Sequence, residues 1–342
     1  MKRFTLCGLT IAVSCLAMPA GTTADYQWTL VAKSAPFSRR DGAGALTFQG
    51  KMWLLGGWLS GSTTYNDVWV STDGADWTQV RPDTPDDPWM WEGRHCSGYV
   101  VFDNRMWIVG GDPNRKHYQP AVWSSNDGKN WTEVTAEAPW GRRHLHYVVA
   151  HNGRMWVMGG QTLPQFVPDV PEAFYNDVWS SLDGAHWTRV IDHAPWSPRG
   201  MMQGAVEFKG RMWLLGGGTY DTPDHPNRLF YNEVWSSVDG RDWRRDTVAP
   251  WPPRQYHSVA VFDDRIWIMA GGNLDTPGYN RNDVWYSSDG MNWIELPNTP
   301  WPTRHAGSLF AFGNHLWMVA GSHPDSSPIN DVWRLDKIRK EK

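Results

Sequence analysis

Arg254-Gln-Tyr-His-Ser-Val-Ala-Val-Phe262, then Arg265-Ile-Trp-Ile-Met-Ala-Gly-Gly272, then Asn282-Asp-Val-Trp-Tyr-Ser-Ser-Asp-Gly-Met-Asn-Trp293 is the stretch that decides the fold. Short runs of Val, Ile, Trp and Phe, bounded by Gly and Asp, read as strands. The same text recurs along the chain. The second glycine of each Gly-Gly falls at Gly57, Gly111, Gly160, Gly217 and Gly272, and Ala320-Gly321 closes the series. A period near fifty residues with four strands per unit predicts propeller blades.

Each unit begins at an arginine and runs to Phe48, Phe102, His151, Phe208, Phe262 or Phe312. The second strand carries Met-Trp-Leu-Leu-Gly-Gly in its fullest form, and the third usually carries Asn-Asp-Val-Trp. The fourth follows a Ser-x-Asp-Gly turn and begins at a Trp. No mature segment shows a sustained 3.6-residue apolar period, so helices are not expected. The sixth unit stops after Asn330-Asp-Val-Trp333, while Trp28-Thr-Leu-Val31 near the N-terminus matches the fourth-strand text Trp77-Thr-Gln-Val80. The expectation is an all-β, six-bladed propeller over residues 25–336, its ring closed by the N-terminal strand joining the last blade.

Before that strand, Lys2 and Arg3, an apolar run from Leu6 to Met18, and Thr22-Thr-Ala24 have the layout of a secretory signal peptide over residues 1–24. The expected location is periplasmic or secreted. Removing residues 1–24 takes away Cys7 and Cys15, leaving Cys96 alone, so packing rather than a disulfide must hold the fold. The formal charge of −4 becomes more negative once Lys2 and Arg3 leave, which argues against a nucleic-acid partner. No segment is long and apolar enough to predict a membrane span. Residues 337–342 read as a basic, frayed tail.

Gly-Gly after a second strand, Arg-x-x-His on a first strand (Arg143–His146, Arg254–His257) and a downstream Trp resemble Kelch repeats, over about residues 26–336. The Ser-x-Asp-Gly-x-x-Trp turns look like shortened Asp-boxes, a structural turn. Kelch propellers include protein-binding scaffolds, sugar mutarotases and copper oxidases, so the resemblance implies the fold and leaves the function open. In galactose-oxidase-like enzymes a first-strand Tyr-His pair binds copper and a cysteine crosslinks to a ligand tyrosine. Tyr256-His257 and Cys96 are similar to these features. Leu145 stands at the position matching the crosslinked tyrosine, so no copper or other cofactor is expected, and no metal ligands are assigned.

The eighteen tryptophans on the second, third and fourth strands are expected in the core and between blades. The connections from fourth to first strand and from second to third strand should share one face. There the recurring arginines, Arg40, Arg94, Arg143, Arg199, Arg254 and Arg304, suggest an electropositive mouth with His95 and His305 beside it. The same arginines also fit a structural role, tying neighbouring blades together through backbone carbonyls. His144, His146, Tyr256 and His257 are the candidates for proton transfer. The second-to-third-strand loops vary most, with Asp112, Arg115, His117, Phe166, Tyr220 and Arg228 among their members.

The leading expectation is therefore a secreted propeller that binds a small anionic molecule or a carbohydrate at an Arg/His-lined mouth, its enzymatic status open. One alternative is a sugar mutarotase, epimerase or polysaccharide lyase on the same face. Another is a protein-interaction scaffold, and a copper-radical oxidase ranks below both.

Overall fold

The computed structural model describes residues 25–338 except 88, 112–113, 169, 201–202 and 274–277. The expected signal peptide, residues 339–342 of the expected tail, and Asp112 lie outside the described residues. Six four-stranded antiparallel sheets form the blades of a β-propeller, with one further two-stranded pairing, Gln161–Thr162 with Ala173–Phe174. The first blade consists of Gly44–Phe48, Lys51–Ser60, Thr63–Ser71 and Thr78–Arg81 in sheet order. First strands neighbour one another around the centre, from Gly44–Phe48 through to Ser308–Phe312 and back.

Ring closure follows the text of the N-terminal segment. Tyr26–Ala32 pairs antiparallel with Pro328–Lys337 and completes the sixth blade. Trp28 then packs edge-on against Trp301, 5.8 Å away. The same T-shaped pair recurs as Trp91–Trp131, Trp140–Trp187, Trp196–Trp243 and Trp251–Trp293, with Phe37–Trp77 in blade one. Such pairs add roughly 0.5–1.5 kcal/mol beyond area burial. Lys337 ends Pro328–Lys337, the strand that Tyr26–Ala32 pairs with, and its Nζ meets Asp263 at 2.8 Å, so the sheet runs one residue past the expected boundary.

The Asp-Gly turns dock one blade on the next. Ser71 Oγ accepts the Gly74 amide and Asp73 Oδ1 accepts those of Ala75 and Asp76. Gly74 sits at φ +75°, where a Cβ would lie 2.2 Å from Trp317 of the preceding blade. Gly128, Gly184, Gly240 and Gly290 cover Trp53, Trp107, Trp156 and Trp213 in the same way. Over Trp267, Tyr26 from the closing strand lies edge-on at 4.9 Å.

Each recurring arginine is spent on this framework. Arg40 Nη1 donates to the Gly56 carbonyl at 2.7 Å and the guanidinium grips Asp67 at 2.6 and 2.9 Å. The following glycine, Gly57, donates its amide to the Arg94 carbonyl of the next blade. That link corrects the fifth repeat: Arg254 reaches the Ala270 carbonyl and the Gly271 amide bonds Arg304 O, so the working pair is Ala270-Gly271 rather than Gly271-Gly272. Gly57 is obligatory, since it holds φ +112° with a would-be Cβ 2.9 Å from Asp41 O.

Candidate functional site

Directly after each arginine the chain reaches the mouth of the ring and turns back. After Arg40, Arg94, Arg143, Arg254 and Arg304 the second residue adopts a left-handed conformation: φ is +58° at Gly42, +54° at Cys96, +57° at Leu145, +54° at Tyr256 and +52° at Ala306. Their backbones join across blades, Cys96 N to Gly42 O, Gly42 N to Ala306 O and Ala306 N to Tyr256 O. Cys96, Leu145 and Ala306 pack together there with Tyr220 and Tyr256 against them. This collar is the floor of a cup of about 360 Å³.

The wall is a belt of rings. Trp58 stacks on His95, and His144 meets Phe166 at 5.6 Å. Phe166 meets Tyr220 at 5.5 Å, and the Tyr220 and Tyr256 hydroxyls touch. Tyr256 meets His305 at 5.6 Å, and Tyr279 closes the belt on the other side of His305 at 6.1 Å. Asp41, Asn114, Arg228 and Ser326 add polar groups. Asp41, His95, His144, Tyr256 and His305 sit on the turns after the arginines, whereas the other side chains come from the ends of second strands and the connections to third strands, so fixed and variable parts meet in one cup.

Arg228 is the one Lys or Arg among the described lining residues, and it is ion-paired with Asp221 and lies over the Tyr220 ring at 5.0 Å. Burial, followed by repulsion from His95, pushes the His305 pKa down to about 4. Burial raises the Tyr220 and Tyr279 hydroxyls above the ordinary tyrosine value. The cup therefore presents a neutral His305 imidazole and protonated Tyr220 and Tyr279 phenols near pH 7, beside the Asp41 carboxyl group and one partnered guanidinium.

Of the expected site residues, His95, His144, Tyr256 and His305 line the cup. The arginines do not, and the electropositive mouth is corrected accordingly. Arg40, Arg143, Arg254 and Arg304 are buried in two-pronged pairs with Asp67, Asp177, Asp283 and Asp331, and Arg199 holds Glu233 at 2.8 Å. In blade two Ala121 replaces the carboxylate, and Arg94 donates to the carbonyls of Glu92 and Gly110. His146 and His257 lie beneath the floor, fully buried, with burial lowering their pKa values to about 4 and about 3. Neither reaches the cup, so both leave the set of proton-transfer candidates, and the Tyr256-His257 pair sends only its tyrosine to the cavity. Among the described residues no group of three His, Cys, Asp or Glu side chains is placed to hold a metal ion.

Trp58, Asn114, Tyr279 and Ser326 line the cup without having been singled out in the sequence. Trp58 carries a usable signal, since it directly follows Gly57 and so lies where the second strand, Lys51–Ser60, runs out to the mouth.

No protein-family model matches the chain and no curated protein matches it, so the likeness to Kelch repeats rests on the quoted motifs. Among solved structures 406 chains match, too many for the fold to select a function. One is the structure of YjhT, at TM-score 0.66 and 16% sequence identity, covering 88% of this chain and 96% of that one. That similarity bears on the fold alone. The class is a six-bladed β-propeller with a cup at its mouth. No helix of the described residues is long and apolar enough to cross a membrane.

Proposed function

We propose that this is a secreted Kelch-type propeller whose mouth binds a small carbohydrate. The observation that carries the reading is the belt of Trp58, Phe166, Tyr220, Tyr256 and Tyr279 around one cavity floored by rigid backbone. Sugar rings offer apolar C–H faces to aromatic rings and hydroxyls to interspersed polar groups, and this cup provides both. Its volume is at the small-ligand end of ordinary binding pockets. The charge-swamped mouth expected for an anionic ligand is not what the arginines build, so neutral sugars fit better than acidic ones. The layout of residues 1–24 supports export to the periplasm or medium.

Catalysis on the bound sugar, as in a mutarotase or epimerase, is the second reading. His144 and Tyr256 favour it, because both of these proton-transfer candidates line the cavity. A thermal-shift panel of neutral sugars, acidic sugars and phosphates on the chain from Asp25 onward tests the binding reading. A saturable rise in Tm with a sugar supports it, because a ligand that binds only the folded state stabilises by mass action. A flat response to every sugar refutes it and shifts the weight to a protein-interaction scaffold.

A further inference from the structure

At the junction of blades one and six, the floor carries a carboxylate and an imidazole whose geometry is fixed by groups outside the cavity. Asp41 is 4% exposed, and its Oδ2 accepts the Ser322 hydroxyl at 2.5 Å. Ser322 is itself pinned, exchanging both backbone hydrogen bonds with His305 at 3.0 Å. His305 Nδ1 lies 2.8 Å from Asn280 Nδ2. An amide nitrogen only donates, so Nδ1 accepts and the ring proton of the neutral imidazole resides on Nε2. Asn280 is 3% exposed and also reaches the Ser322 carbonyl at 3.4 Å, so this tautomer is built into the wall. His95 is held in the same way by Asn114 Nδ2 at 3.2 Å.

His305 Nε2 stands 3.7 Å from Asp41 Oδ2. That separation is too long for a direct hydrogen bond, yet one oxygen atom can sit at about 2.8 Å from both. Such an oxygen must accept from Nε2–H and donate to the carboxylate. A hydroxyl does both, whereas a ligand carboxylate or ketone cannot donate and a ligand carboxylate is repelled by Asp41. We infer that Asp41 and His305 form a clip for one sugar hydroxyl and set the cup's preference for neutral over acidic sugars. This rests on the proposal that the cup binds a carbohydrate.

The test is isothermal titration of the chain from Asp25 onward with D-glucose, D-galactose, their monodeoxy derivatives, and glucuronic and galacturonic acids. Asp41→Asn, His305→Leu and His305→Gln are titrated in parallel. Wild type is expected to bind a neutral sugar more tightly than its uronic acid. Asp41→Asn and His305→Leu should each weaken that binding about tenfold or more, the range for losing a charge-assisted hydrogen bond. His305→Gln, which keeps an N–H donor, should recover part of the loss. One monodeoxy sugar should bind wild type as weakly as the parent sugar binds Asp41→Asn, and should lose nothing further in that variant, since the two changes remove the same contact. If Asp41→Asn misfolds, the His305 pair and the deoxy series still decide the matter.

Undiminished binding in these variants, or a tighter fit for the uronic acid, overturns the clip while leaving sugar binding intact. A wild-type protein that binds none of the sugars overturns the clip and the sugar reading together.

Discussion

Arg254 Nη1 donates at once to the Ala270 carbonyl, at 2.9 Å, and to Asp283 Oδ1, at 2.7 Å, while Nη2 donates to Asp283 Oδ2 at 2.5 Å. One side chain thereby fixes the turn after its own second strand to the start of its own third strand. Asp283 Oδ2 also accepts the Trp285 indole N–H, at 2.9 Å. Arg254→Met should therefore destabilise the fold by about 3 kcal/mol, the low end for breaking a buried pair, because Asp283 keeps some solvent contact. Urea unfolding measures this. Affinity for any cup ligand should change less than twofold, because Arg254 does not line the cavity.

Blade docking through the Asp-Gly turns predicts a second effect far from the mouth. A Cβ at Gly240 would lie 2.1 Å from Trp156 Cζ3, on a residue held at φ +73°. Gly240→Ala should cost about 1–3 kcal/mol through steric overlap and left-handed strain. Gly61, also left-handed at φ +52° but with nothing within 4 Å of its would-be Cβ, is the control and should lose less when replaced by Ala.

Closure of the ring by a strand from the opposite end of the chain predicts a third. Trp28→Ala empties the space against Trp301 and should destabilise by about 3–5 kcal/mol, as other large-to-small aromatic losses in cores do. Both chemical denaturation and protease resistance of the sixth blade should report it.

Three buried histidines make stability fall in mild acid. Burial lowers the folded pKa of His257 to about 3, and that of His146 and His305 to about 4, below the unfolded value. Their contribution is fully present above about pH 6.5 and is lost as the pH falls toward those folded values, because the unfolded chain takes up protons first. The slope should reach up to about 1.4 kcal/mol per pH unit for each histidine. Unfolding measured at pH 7, 6 and 5 checks the trend, and His257→Gln should flatten it.

The architecture was legible because each blade repeats its chemistry in the text. Val-Trp on third strands, Asp-Gly before fourth strands and the displaced Trp28 all translate directly into packed positions. The arginines were equally visible, but their role depended on partners about thirty residues away: Asp67, Asp177, Asp283 and Asp331 had been seen only as part of a strand motif. The cup was half legible. His95, His144, Tyr256 and His305 follow from their place after each arginine, whereas Asn280 and Ser322 act through contacts that cross loops and blades. Even the fully buried Trp91, Trp140, Trp196, Trp251 and Trp301, three residues before arginines, carry a repeat whose partner strand only the folded ring shows.

Saturation-transfer difference NMR of the chain from Asp25 onward with neutral monosaccharides, in wild type and in Trp58→Ala/Tyr220→Ala, tests the central claim most directly. The account predicts saturation reaching the sugar C–H protons in wild type and its loss in the double variant, with the fold retained by circular dichroism. Transfer that persists unchanged in the folded double variant, or that is absent from wild type for every sugar, contradicts a carbohydrate site at the mouth.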